Sequence, residues 1–186
     1  MPSETDLQSE CIQEGQAIHE LESLAPPIAP ILMTTAAYHT FGMIAPWQMM
    51  LERYSELFAA MDNGSRIGIV PREASGIQPG KRLGGIQIAS EAPMLAWQVE
   101  NGGMSVRFER FSGMSSTKID LLLVADKEAL AVMQERLDGD TLTAIKRLIR
   151  RGNMMFFVFK NKAQLQNAGF EDFLDSLGLA FLGACR

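Results

Sequence analysis

Little in this chain of 186 residues is of a kind that announces chemistry. The two cysteines, Cys11 and Cys185, stand near opposite ends, so neither the disulfide framework of a small secreted domain nor a Cys-x-x-Cys motif is available. Free thiols are expected. Two histidines, His19 and His39, add no pair of ligands at the spacing of a zinc site, and nothing in the spacing ties either cysteine to a histidine. With no Gly-x-Ser-x-Gly elbow either, the sequence offers no catalytic constellation, and no metal or cofactor is expected.

Charge is missing too, locally. The 29 residues between Glu22 and Glu52 contain no Asp, Glu, Lys or Arg. Such a run raises the question of a membrane span. Pro26, Pro27, Pro30, Gly42 and Pro46 interrupt the helix a bilayer would demand, and Thr34, Thr35, His39 and Thr40 are polar. The expectation is an arm buried on the body or covered by a partner, with no membrane. The opening Met-Pro-Ser-Glu-Thr-Asp is acidic where a leader peptide would be basic, which, with free thiols, points to the cytoplasm.

What is present describes an ordinary globular chain, 47% apolar and 21% charged. Its length suffices for a real core without staples. The net charge of −5 is unevenly spread: residues 1–62 hold one basic and nine acidic side chains, whereas residues 63–160 hold fourteen basic and ten acidic. An acidic first third either solvates a helix or covers a weakly basic body.

Periodicity supplies the elements. Leu7, Cys11, Ile18 and Leu21 predict a thinly apolar helix over 6–24, suited to docking on the body or on a second copy. From Trp47 to Met61, Trp47, Met50, Leu51, Tyr54, Leu57, Phe58 and Met61 fall on one helical face, with Pro46 in the first position and Asn63-Gly64 as the stop. Strands are expected at 66–70, 85–89, 95–100, 104–111, 118–124 and 154–159, the third and fourth joined by a turn at Asn101-Gly102-Gly103. Asp126 and Asp140 are expected to cap two helices, the second ending at Gly152. Asn161 with Gln164 forms an amide version of the capping box before a last helical region interrupted at Gly169. Together these predict one α+β domain, a mixed, mostly antiparallel sheet of five to six strands with helices packed on one face. Residues 1–45 form the acidic helix and uncharged arm, and 46–186 the globular part. A right-handed crossover from 118 to 159 would make its two strands parallel.

Several segments invite functional comparison. The loop 71–85 contains glycines with Arg72, Lys81 and Arg82, but Gly76 is one residue too close to Gly80 for a Walker A loop, and Arg82 replaces the hydroxyl residue. It is either an anion-holding loop or a surface hairpin. Lys146, Arg147, Arg150 and Arg151 form a basic stripe opposite Leu142, Ile145, Leu148 and Ile149, fit either to follow phosphates or to complement the helix dipole. Around Gly152 the run Met154 to Phe159 departs from an RNA-binding RNP1 strand in the register of its aromatics, so these phenylalanines are expected as core. Met33, Tyr38, Phe41, Met43 and Met49 are the candidate partner interface.

Three classes of function remain. The first is a non-catalytic binding or regulatory protein acting through a macromolecular partner, another protein or a second copy in a two-fold dimer. The second is a nucleic-acid or phosphorylated-ligand binder using the loop and the basic stripe. The third is an enzyme whose site is too dispersed to see in one sequence.

Overall fold

The computed structural model describes residues 28–77 and 92–179, with side chains from Thr35 onward. The expected helix over 6–24, the strand at 85–89, Lys81, Arg82 and both cysteines lie outside the described residues. Contacts divide the chain into residues 1–33 and 34–186. Of the first unit, the described part is the opening of helix α1, Ile28–Phe41.

The second unit is built on one five-stranded sheet of order β3-β2-β1-β4-β5. Its strands are β1 (Arg66–Pro71), β2 (Ala92–Glu100), β3 (Gly103–Phe111), β4 (Leu121–Ala125) and β5 (Met154–Val158). Three neighbouring pairs are antiparallel, and β1 with β4 is parallel, Ile67 opposite Leu121 and Val70 opposite Val124. The fold is therefore α+β with a mixed sheet, as the patterning predicts. The β2–β3 hairpin turns through Asn101 at φ 52° and Gly102 at φ 80°, the two positive values a tight two-residue turn needs.

Alternation along the strands sends side chains to two buried faces. Ile67, Ile69, Leu95, Trp97, Leu121 and Leu123 point to the larger core, shared with the helices α2 (Ile44–Arg53), α5 (Lys127–Glu135) and α6 (Thr141–Arg151). Val70, Met94, Ala96, Leu122 and Val124 point the other way, toward Ile77 and the half-buried Ala74 and Met114. At its β2–β3 end this second face becomes polar, as the alternation of Ser105, Arg107 and Glu109 predicts. There Arg107 pairs with Glu100, Arg66 pairs with Glu109, and Arg107 approaches Glu109 at 3.8 Å.

Local signals fix the helix ends. Asp126 accepts from Ala129 N–H at 2.8 Å and Asp140 from Thr143 N–H at 3.2 Å, so both caps form where expected. Gly152 ends α6 at φ 81°. The amide box is complete: Asn161 and Gln164 exchange hydrogen bonds of 2.9 Å at the start of α7 (Lys162–Asn167). Gly169 at φ 72° then separates α7 from α8 (Glu171–Ser176).

Four expectations need correction. The uncharged arm is helical over Ile28–Phe41, with Pro26 and Pro27 before it and Pro30 in its first turn, where no intrahelical N–H is required. The burial expected of it holds at its end, where Ala37 and Phe41 are fully buried; only its helical form was not expected. The long helix of residues 47–61 is broken at Tyr54, whose N–H is shared between Met50 and Leu51 carbonyls at 3.3 and 3.2 Å, leaving α2 and the short α3 (Ser55–Phe58). β4 and β5 are antiparallel rather than joined by a crossover. Because α5 carries the chain away from the C-terminal end of β4 and α6 brings it back, β5 starts where β4 stops, with Asp126 N–H on the Asn153 carbonyl at 3.0 Å. Finally, β5 is an edge strand, so Phe156 and Phe157 are half-buried and Phe159 is exposed, while Met154 alone of the run is fully in the core.

The opposite edge, β3, is closed by a side chain. The Gln48 amide of α2 accepts from Val106 N–H at 3.0 Å and donates to the Met104 carbonyl at 3.1 Å. One amide thus occupies backbone groups that another strand would otherwise use.

Candidate functional site

The expected cations do not act as one set. Arg72 opens the short helix α4 (Arg72–Ser75) directly after β1, and its guanidinium turns inward. Its Nη2 donates to the Gly152 and Asn153 carbonyls, both at 2.8 Å, and its Nη1 lies 3.6 Å from Asp126. It therefore clamps the end of α6 to the start of α5. Lys146 and Arg150 lie over Gly178, beyond the end of α8: a Cβ on that glycine would stand 2.5 Å from Lys146 Cε and 3.2 Å from Arg150 Nη2. Cations there lie near the C-terminal end of α8, a different helix from the one whose dipole the stripe was expected to complement. Arg147 and Arg151 are exposed.

The candidate interface residues separate in the same way. Phe41 is buried, and its carbonyl accepts from Trp47 Nε1 at 2.8 Å. Tyr38, Met43 and Met49 are 48%, 68% and 58% exposed. Tyr38 is held edge-on against Phe108 of β3 at 5.2 Å, and Phe41 stacks on the same ring at 6.2 Å. Met43 precedes α2, whose opposite side buries Trp47, Met50 and Leu51. The three exposed apolar side chains thus stand on a firmly seated support. Met33 is within α1, and its side chain lies outside the described ones.

A second region was not legible from spacing. A cleft of about 340 Å³ opens at the C-terminal ends of the parallel strands β1 and β4. Pro71, Arg72, Glu73 and Ala74 line it from the β1 side, Ala125, Lys127, Leu130, Ala131 and Gln134 from the β4 and α5 side, and His39 and Thr40 from α1. Gln134 fastens α1 there by donating to the Thr40 carbonyl at 2.9 Å. Of these residues, Arg72 alone was a candidate binding residue in sequence, as part of the loop 71–85. The signal for the rest is the Asp126 cap following an apolar central strand, a strand-to-helix turn at which ligand sites recur.

Among the described residues, no group of three or more His, Cys, Asp and Glu side chains is placed to hold a metal, and no helix is long and apolar enough to cross a membrane. No family model matches the chain, and no curated protein matches it. A solved structure, the conserved hypothetical protein TT1886 of Thermus thermophilus, described as a possible sterol carrier protein, is similar to it at 13% identity and TM-score 0.36. The likeness covers 74% of this chain and 85% of that one, and at that depth it fixes no ligand.

Proposed function

We propose that this chain is a binding or regulatory protein that acts through a macromolecular partner seated on the exposed apolar side chains of α1 and of α2 ahead of Glu52. One observation carries the reading: Tyr38, Met43 and Met49 are exposed on well-anchored elements within a stretch that has no charged residue. Apolar side chains exposed singly mean little. Drawn from one stretch of sequence without charge, they have the composition of an interface centre, where Tyr and Met are enriched and Lys, Glu and Asp depleted. Contact with Phe108 already orients the Tyr38 ring, which lowers the entropy lost on binding. The methionines adapt to the shape opposite them.

The test is the full chain against Met43→Glu with Met49→Glu, two exposed positions where a carboxylate is tolerated in the free protein. Circular dichroism should show both forms folded. Sedimentation should then show self-association, or extract from the native cell should yield a retained protein, with the wild type only. A wild-type monomer that retains nothing the variant lacks would overturn the reading.

A further inference from the structure

The strands β1 and β4 are parallel neighbours, yet the chain leaves them in opposite directions, β1 toward β2 and β4 toward β5. Among the described residues, α4 follows β1 and α5 follows β4 at those C-terminal ends. A crevice results, and in sheets with parallel strands this is where ligands bind. The cleft of about 340 Å³ sits there, at the lower end of the range for small-molecule sites.

Its chemistry is set by which lining groups remain available. Arg72 is committed to the Gly152 and Asn153 carbonyls and to Asp126. Glu73 and Lys127 are exposed, and neither forms a hydrogen bond or ion pair among the described residues. Two opposite charges thus line one cavity without closing on each other. A simple anion there would meet Glu73, and a simple cation would meet Lys127. Only a ligand carrying both charges matches both walls.

At the start of α5 the Asp126 and Glu128 carboxylates leave Lys127 as the cation on the cleft wall. Asp126 occupies Ala129 N–H with its side chain at 2.8 Å and Leu130 N–H with its carbonyl at 3.0 Å. The Lys127 N–H, on a residue that lines the cleft, makes no hydrogen bond among the described residues. Pro71, Ala74 and Leu130 supply the apolar lining between the charged walls.

We propose that this cleft binds a small zwitterion of the α-amino-acid type with a short aliphatic side chain, its carboxylate at Lys127 and its ammonium at Glu73. The inference does not rest on the partner surface, although His39 and Thr40 of α1 border the cleft. Methyl NMR of the full chain reads it directly through Ala74, Leu130 and Ala131. L-alanine, L-valine and L-leucine are the probes, with isovalerate and isobutylamine as valine analogues lacking the ammonium or the carboxylate. At least one amino acid should shift these methyls saturably, and the single-charge analogues should bind valine's site at least tenfold more weakly than the best amino acid. Glu73→Gln should abolish the preference over isovalerate, and Lys127→Gln the preference over isobutylamine. No saturable shift with any amino acid up to about 10 mM, a Kd weaker than the millimolar range, would overturn the proposal. So would isovalerate binding as well as valine, or shifts indifferent to both substitutions.

Discussion

Replacing Arg72 by methionine tests whether this cation is a clamp or a ligand group. The change keeps the aliphatic stem and removes only the guanidinium, so packing loss is small. What disappears are two hydrogen bonds from a charged donor to the Gly152 and Asn153 carbonyls at 2.8 Å, and a looser ion pair to Asp126 at 3.6 Å. Hydrogen bonds to charged groups contribute roughly 1.5–3 kcal/mol each. Against this stands a buried Nε with no partner, whose removal relieves a desolvation cost. The net loss is expected at about 2–3 kcal/mol, or a fall in Tm of about 4–12 °C for a chain of this length. Arg147→Met is the control, since Arg147 is exposed and a surface substitution of that kind stays within about 0.5 kcal/mol. Urea unfolding followed by the fluorescence of Trp47 and Trp97, both fully buried, measures the two changes on one scale. Equal losses in the two variants would refute the clamp and return Arg72 to the surface set in which the sequence placed it.

Two further outcomes are expected. Gly152→Ala and Gly169→Ala both place a side chain at positive φ, at a cost of about 1–2 kcal/mol, but a Cβ at Gly169 would also lie 1.9 Å from the Ala60 carbonyl oxygen while Gly152 has nothing within 4 Å. Gly169→Ala should therefore be clearly the more damaging in urea unfolding, and equal losses would contradict the close approach. Asp140 is held below its ordinary value, chiefly by a hydrogen bond with the Thr143 side chain; burial opposes this, and the Thr143 N–H, Tyr54 and Arg147 add to the lowering. A lowered folded-state value means stability present above the usual Asp range near 4 and lost as pH falls through the folded value. Urea midpoints compared at pH 5 and pH 3 should fall less for Asp140→Asn, which still caps, than for the wild type; an identical fall would remove Asp140 as a source.

The parts of the fold that were legible in the sequence are those that one residue decides. Asn101-Gly102, Asp126, Asp140, Gly152 and the Asn161–Gln164 pair each impose a local geometry, and each does so at its expected place. Strand direction is different, because it depends on how many times the chain crosses the sheet. One helix between β4 and β5 would have made them parallel, whereas α5 and α6 together return the chain to its starting end. Burial of the phenylalanines of β5 failed for a related reason: an apolar run looks the same at a sheet's centre and at its edge. Arg72 looked available for an anion because its acceptors, the Gly152 and Asn153 carbonyls, are about eighty residues away and belong to the backbone, which composition does not reveal. The cleft was missed because Glu73, Lys127, Gln134 and His39 meet only once strand order is known.

The Gln48 contact with β3 carries a consequence for how this sheet behaves in acid. Carboxylates on an edge strand also discourage strand addition in general, but protection of that kind weakens as they protonate in acid. The carboxamide does not titrate, and it holds its two backbone partners at any pH in which the fold survives. Its orientation is also one-way, oxygen toward Val106 N–H and nitrogen toward the Met104 carbonyl. A carboxylate at this position would set an acceptor against an acceptor, so the chemically nearest replacement would reopen the edge that glutamine closes.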